Sequence, residues 1–162
     1  MIRFFVMDVD GTLTDGKIYM GPKGEVCKAF DIKDGCGIKI LLPQHNIIPV
    51  IITARSSEIV QNRCEELEIK DCYQGVPNKL LFLEEVVHKY SRQDGKEYTF
   101  ANVVYVGDDL PDLPCMRAVQ AAGGIAACPA DAAKEILKMA DIISTKNAGQ
   151  GAVREIIEKI IG

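Results

Sequence analysis

The 162-residue sequence has no long apolar run and no excess of positive charge. No uninterrupted apolar stretch reaches the ~18 residues that a membrane-spanning helix needs, so we expect no membrane partner. Met1-Ile2-Arg3 leads directly into a strand-like run, from which we expect no secretory signal and a cytoplasmic location. The formal net charge of −4 at pH 7 argues against nucleic acid as the main partner.

The common cysteine and histidine patterns are also missing. The six cysteines are scattered without a C-x-x-C pair, which predicts reduced thiols. The two histidines, His45 and His88, stand at no zinc-ligand spacing from these cysteines. No linker, repeat or low-complexity tract divides the chain, so we expect one domain over 1–162.

Several familiar catalytic signatures are absent as well. The sequence contains no P-loop and no G-x-S-x-G with a placed histidine, which argues against P-loop nucleotide hydrolysis and serine hydrolase chemistry. Gly149-Gln150-Gly151 has no third glycine and only a terminal helix after it, too little for a dinucleotide loop.

Strand-like and helix-like segments alternate along almost the whole chain. Predicted strands cover 2–9, 46–53, 101–109, 123–129 and 141–144, and Pro49 argues slightly against a central position for the second. Predicted helices cover 56–69, 78–90, 110–122, 131–140 and 151–161, with a polar loop at 91–97. This order predicts an α/β fold with a doubly wound parallel sheet and helices on both faces. A β-hairpin at about 17–32 interrupts it.

Polar residues end several predicted strands. In a doubly wound sheet, ligands bind at the carboxyl ends of the strands, so these residues are expected to meet. They are Asp8 and Asp10 after the first strand, Thr53 and Arg55 after the second, and Asp108 and Asp109 after a later one, with Lys79 opening a helix.

The residue types at these strand ends suit a phosphate held on a metal. Clustered carboxylates repel one another unless a cation lies among them, and their hard oxygens favour Mg²⁺. Gly11 permits a sharp turn and is expected to leave its N–H free for an anion. The Thr53 hydroxyl and Lys79 can hold phosphoryl oxygens.

The motifs DVDGT (8–12), IITAR (51–55), Lys79 and GDDLPD (107–112) occur in this order. With them, the sequence resembles the haloacid dehalogenase (HAD) superfamily of phosphatases. Further stretches, among them LTDGKIYMGPKGEVCKAFDIKDGCGI and NAGQGAVRE, resemble the 3-deoxy-D-manno-octulosonate 8-phosphate phosphatases and their nonulosonate 9-phosphate relatives. The resemblance covers nearly the whole chain and implies a role in cell-envelope polysaccharide synthesis.

The resemblance implies roles for the carboxylates. Asp8 would be the nucleophile that forms an aspartyl-phosphate, and Asp10 would protonate the leaving oxygen and then activate water. The Asp8 and Asp108 carboxylates and the Asp10 carbonyl would bind Mg²⁺. Asp109 would bind metal-bound water or the motif lysine, and Asp112 would orient its neighbours or only cap a helix. The phosphate end of the substrate would contact Asp10, Gly11 and Lys79.

The sugar end of the substrate would meet a second group of residues. Arg55 and Arg63 are the expected partners of a 2-keto acid carboxylate, and the Asp34-Gly35 turn could contact hydroxyls. Nonulosonate 9-phosphate relatives carry Glu and Lys where this chain has Arg55 and Glu66, which favours the eight-carbon sugar.

The motif spacing leaves no room for a cap domain. Asp10 and Thr53 are 43 residues apart, and Thr53 and Lys79 are 26 apart, so the site would stay open to water unless another subunit covers it. The resemblance implies a homotetramer formed through the hairpins, with the glycine-containing tail at 147–162 helping to cover a neighbouring site. Asn147-Ala148-Gly149-Gln150 departs from the paired glycines usual there.

Two alternatives belong to other function classes. A receiver domain also places acidic residues, Thr and Lys at strand ends around Mg²⁺, but its acceptor carboxylate lies on a later strand, where this chain has Thr53. The second alternative is a non-catalytic assembly subunit. Against it, every expected catalytic position holds the expected residue.

Overall fold

The computed structural model describes residues 1–162 and contains a six-stranded parallel sheet and a separate hairpin. The sheet order is β5-β4-β1-β6-β7-β8, and β2 pairs only with β3. Because β1 is central and the chain winds outward from it in both directions, the predicted doubly wound topology is confirmed. The strands are β1 (Phe4–Met7), β2 (Tyr19–Gly21), β3 (Gly24–Cys27), β4 (Ile48–Ile52), β5 (Asp71–Tyr73), β6 (Val103–Val106), β7 (Ile125–Cys128) and β8 (Ile142–Ile143).

Seven α-helices join these strands. A π-helical turn at Gly37–Leu41 continues the first helix into the second, and 3₁₀ turns lie at Phe100–Asn102 and Leu110–Asp112. No helix combines the length and apolar character needed to cross a membrane. The helices are α1 (Ile32–Cys36), α2 (Leu42–Gln44), α3 (Glu58–Glu66), α4 (Lys79–Asp94), α5 (Leu113–Ala121), α6 (Lys134–Met139) and α7 (Ala152–Ile161).

The sheet separates two hydrophobic cores. Side chains alternate along each strand, so Phe5 and Met7 belong to the core beneath α3 and α7, while Phe4 and Val6 belong to the core beneath α4 and α5. All four residues of β1 are fully buried, as expected for a strand covered on both faces.

Local differences from the predicted boundaries have identifiable causes. The strands are shorter than predicted, and residues 91–94, predicted as loop, continue α4 until Gly95 ends it in a left-handed conformation. Pro49 lies in β4, which has β1 on one side and β5 on the other. Pairing with β5 begins only at Val50, so the N–H that proline lacks removes no hydrogen bond to β5.

Candidate active site

The strand ends line an open cavity of about 240 Å³ at the carboxyl edge of the sheet. The cavity lies where β1, β4 and β6 end, beside the start of α4. Its polar lining consists of Asp8, Asp10, Thr53, Arg55, Lys79, Asp108, Asp109 and Asp112.

Asp8 and Lys79 form the buried centre of this cavity. Asp8 follows β1 and is 7% exposed, and the Lys79 Nζ lies 2.7 Å from its Oδ1. Burial and the nearby Asp112 charge raise the pKa of Asp8 to about 6 although Lys79 opposes the shift. Burial lowers the pKa of Lys79, but the two carboxylates outweigh it and leave the pKa above its ordinary value. Lys79 is therefore a cation held between two anions.

Asp112 orients the groups around it. Its Oδ1 accepts hydrogen bonds from the Lys79 Nζ at 2.7 Å and from the Tyr105 hydroxyl at 2.9 Å. Its Oδ2 accepts from the backbone N–H of Asp108 at 3.1 Å and of Asp109 at 3.4 Å. The side chain does not cap α5, but with Asp109 it forms the capping box of the 3₁₀ turn at Leu110–Asp112, so Asp112 makes contacts of both predicted kinds. Tyr105, in the middle of a strand, was not singled out from the sequence.

Asp108 lies against the turn that follows β1. The Thr12 hydroxyl donates to its Oδ1 at 3.1 Å, and its Oδ2 has no protein donor. A Cβ at Gly11, whose φ is +91°, would lie 2.1 Å from that Oδ2, so glycine is required for this approach. The Gly11 N–H was predicted to be free for an anion, but it donates to the Thr14 hydroxyl at 3.2 Å, so this prediction is wrong.

The carboxylates fit a divalent cation. Oxygens of Asp8, Asp108 and Asp112 lie within 4.8 Å of one another. Burial, followed by the charges of Asp112 and Asp8, raises the pKa of Asp108 to about 7. Since Asp112 is occupied by four donors, Asp8 and Asp108 remain the carboxylates available to Mg²⁺, whose preferred ligands are such oxygens.

Asp10 lies at the rim of the cavity among charges from the hairpin. Lys28 donates to its Oδ1, and the Arg55 Nε lies 3.8 Å from its Oδ2. Glu25 accepts from Lys28 at 3.0 Å and lies 3.5 Å from Arg55. Sequence analysis missed Lys28 and Glu25, because no local pattern shows that the hairpin folds back over Asp10.

Thr53 and Asp109 differ in how they face the cavity. Thr53 is 2% exposed, and its hydroxyl makes no hydrogen bond within the protein, so it is available to a ligand. Asp109 is exposed and accepts from the Leu110 N–H at 2.8 Å. Lys79 contacts Asp112 instead of Asp109, which leaves a metal-bound water as the remaining predicted partner of Asp109.

Gly11, predicted to contact the phosphate, does not line this cavity, and three of the four residues predicted to bind the sugar lie outside it. Asp34, Gly35 and Arg63 instead line an enclosed space of about 10 Å³, which holds at most one water. The Asp34 Oδ1 accepts from the Arg154 N–H at 2.7 Å at the start of α7, and burial raises the pKa of Asp34 to about 6. Arg63 lies over the Phe30 ring and pairs with Glu66 at 2.8 Å.

The glycine-containing tail packs on its own chain. A Cβ at Gly149 would lie 2.8 Å from the Asp15 backbone nitrogen, and the φ of Gly149 is +69°. The Ala148 N–H donates to Asp131 at 2.8 Å. The tail therefore packs against the loop that follows β1.

A buried lysine lies among carboxylates at the point where the strand order of the doubly wound sheet reverses. Because the first of these carboxylates, Asp8, follows β1 and not a later strand, the site is of the kind expected in HAD phosphatases and not in receiver domains. No protein-family model matches the chain. A Legionella pneumophila structure assigned to the HAD superfamily (subfamily III A) hydrolases is 32% identical with a TM-score of 0.87, over 99% of this chain and 82% of that one.

Two further relatives are both named as phosphatases of the same sugar phosphate. The chain is 41% identical over 160 residues to the 3-deoxy-D-manno-octulosonate 8-phosphate phosphatase KdsC of Salmonella typhi, over 99% of this chain and 79% of that protein. The corresponding Yersinia pestis structure is 37% identical, with a TM-score of 0.89 over 99% and 80% of the two chains. The chain belongs to the 3-deoxy-D-manno-octulosonate 8-phosphate phosphatase family of the HAD superfamily, as the resemblance predicted.

One relative was crystallised with its ligands. The Moraxella catarrhalis phosphatase, in complex with a magnesium ion, a phosphate ion and a KDO molecule, is 38% identical with a TM-score of 0.86. The match covers 99% of this chain and 86% of that one.

Proposed function

We propose that this chain is a Mg²⁺-dependent phosphomonoesterase that hydrolyses 3-deoxy-D-manno-octulosonate 8-phosphate. The observation that carries the proposal is the Asp8–Lys79–Asp112 cluster beside Asp108 at the bottom of an open cavity. The relative with magnesium, phosphate and KDO supports the metal and the substrate.

The carboxylates of Asp8 and Asp108, with the backbone carbonyl of Asp10, would hold the Mg²⁺. When bound, the ion supplies positive charge to the phosphoryl oxygens and lowers the repulsion between the substrate and the carboxylates. Lys79 adds a second positive charge, and the free Thr53 hydroxyl offers a hydrogen bond to the same oxygens.

The first step transfers the phosphoryl group to the protein. An Asp8 oxygen attacks phosphorus, a new P–O bond forms, and the bond from phosphorus to the sugar oxygen breaks. Asp10, in its protonated form, gives its proton to that departing oxygen, which leaves as a neutral hydroxyl group of the sugar acid. Lys79 favours the ionised, nucleophilic form of Asp8 against the burial and the Asp112 charge that oppose it.

The second step regenerates Asp8. The Asp10 carboxylate, now deprotonated, takes a proton from a water molecule that attacks phosphorus. The bond between phosphorus and Asp8 breaks, inorganic phosphate leaves, and Asp10 again holds the proton.

The eight-carbon sugar is favoured by Arg55. It lines the cavity with half of its side chain exposed, where it can meet the carboxylate of a 2-keto acid. The alternative substrate is a nonulosonate 9-phosphate. Asp34, Gly35 and Arg63 lie outside the cavity of their own chain, so their predicted contacts with the sugar carry no weight here.

Self-association is also part of the proposal. The hairpin and the residues after it expose large apolar side chains, with Met20 65%, Val26 63% and Ile32 82% exposed. This supports the homotetramer predicted from the resemblance, which sedimentation analysis would test. The cytoplasmic location and the role in cell-envelope polysaccharide synthesis stay predictions.

The test measures phosphate release with Mg²⁺ from 3-deoxy-D-manno-octulosonate 8-phosphate and from nine-carbon 2-keto acid 9-phosphates. We expect a strong preference for the eight-carbon ester. Preference for a nine-carbon ester would leave the proposed mechanism intact but would overturn the proposed eight-carbon substrate. An Arg55→Glu variant should lose much of the preference, while Arg92→Glu, on the exposed surface of α4, serves as the matched control.

A further inference from the structure

The ammonium group of Lys28 is buried between two carboxylates at the rim of the cavity. Its side chain is 1% exposed and donates to Asp10 and, at 3.0 Å, to Glu25. Arg55 approaches the same two carboxylates, but at 3.8 and 3.5 Å and with half of its side chain exposed, where an ion pair contributes little. Lys28 is therefore the principal partner of Asp10.

We propose that Lys28 is the positioning residue that fixes the Asp10 carboxylate for proton transfer. The inference rests on the proposed function, because it takes Asp10 as the proton donor and acceptor. Lys28 itself does not line the cavity, and its buried ammonium already has two carboxylate partners. It thus acts on the reaction through Asp10.

The contact constrains a side chain that would otherwise turn. Asp10 follows the end of β1, and the side-chain partners of its carboxylate are Lys28 and, at 3.8 Å, Arg55. Lys28 holds one oxygen at the rim, and the other faces the side where Arg55 lies. A catalytic group displaced by ~1 Å can lose ~100-fold in rate, so this orientation matters to turnover.

Lys28 also joins the hairpin to the site. Glu25 is the second residue of β3, and Lys28 is the first residue after β3. Both members of this ion pair therefore belong to the hairpin. With Lys28 removed, Asp10 and Glu25 would share no buried cation, and their repulsion would turn Asp10 toward solvent.

The test is a double-mutant cycle with 3-deoxy-D-manno-octulosonate 8-phosphate and Mg²⁺. We expect Lys28→Met to lower kcat ~30-fold with KM within ~3-fold, and Lys28→Arg to recover most of the loss. In an Asp10→Asn background, Lys28→Met should change kcat less than ~3-fold, since the group that it positions is gone. Lys23→Met, at an exposed lysine of the same hairpin, is the matched control.

Each contrary outcome is distinguishable. Losses that multiply in the double variant, or a rise in KM with kcat unchanged, would overturn the role of Lys28 and leave the proposed function intact. Wild-type turnover by Asp10→Asn would overturn the assigned role of Asp10 and the inference with it. If Lys28→Met does not fold, as judged by circular dichroism, Lys28→Gln enters the same cycle with the same expected outcomes.

Discussion

Replacing Lys79 by methionine should destabilise the metal-free protein strongly at neutral pH. Lys79 is 6% exposed and lies 2.7 Å from both Asp8 and Asp112. Removing one member of a buried ion pair costs ~3–5 kcal/mol, because the remaining charge is left buried without a partner. With a urea slope of ~2 kcal/mol/M, the unfolding midpoint should fall by about 2 M.

The size of this loss should depend on pH. The pKa of Lys79 is raised above 10.5, so its own stabilising contribution is fully present at both pH 5 and pH 7.5. The pKa of Asp8 is raised to about 6 and that of Asp108 to about 7, so both are largely protonated at pH 5. Fewer carboxylates then need a cation, and the loss should be about halved.

The assay is urea unfolding with a chelator at pH 5 and pH 7.5, followed by circular dichroism. Lys96→Met, at an exposed lysine without an ion pair, is the control. A loss below ~1 kcal/mol at pH 7.5, or an equal loss at both pH values, would refute the electrostatic account of this cluster.

Three further predictions concern the turn, the tail and the last helix. Gly11→Ala should lower turnover ~100-fold in a phosphate-release assay, because its Cβ would lie 2.1 Å from an Asp108 oxygen. Gly149→Ala should lower the free energy of unfolding by ~1–3 kcal/mol in urea, because it is strained at φ +69° and meets the Asp15 backbone. Burial raises the pKa of Glu155, but hydrogen bonds from Lys159, Thr145 and Ser144 outweigh the effect of burial and lower the pKa to about 2. The stabilisation from Glu155 is therefore fully present above its ordinary pKa of 4.5 and is lost as the pH falls toward 2. In thermal unfolding, Glu155→Gln should lower the free energy of unfolding by ~1–2 kcal/mol at pH 7 and by little at pH 2.

The parts of the fold and site that follow strand ends were predictable from the sequence. Parallel strands align their carboxyl ends, so Asp8, Thr53 and Asp108 had to approach one another once β1, β4 and β6 were recognised. The side chain of Lys79 enters the same group because it starts the helix that follows β5.

The parts that depend on long-range packing were not predictable. Asp34 and Gly35 were expected in a turn that offers a carboxylate to a sugar hydroxyl, but they lie in α1, and Asp34 instead accepts from the Arg154 N–H of α7, which packs against α1. Lys28 reaches Asp10 only because the hairpin folds back. Neither contact leaves a periodic signal in the sequence, since each joins segments whose separation is set by packing.

The central claim is that Asp8 carries the phosphoryl group during turnover. The direct measurement is to quench the enzyme in acid while it hydrolyses saturating 3-deoxy-D-manno-octulosonate 8-phosphate with Mg²⁺, and to map the added mass by peptide mass spectrometry. We predict one phosphoryl group on the peptide that contains Asp8, removable by hydroxylamine and absent from Asp8→Asn, which should not turn over. A phosphoryl group on another residue, or wild-type turnover by Asp8→Asn, would contradict the account.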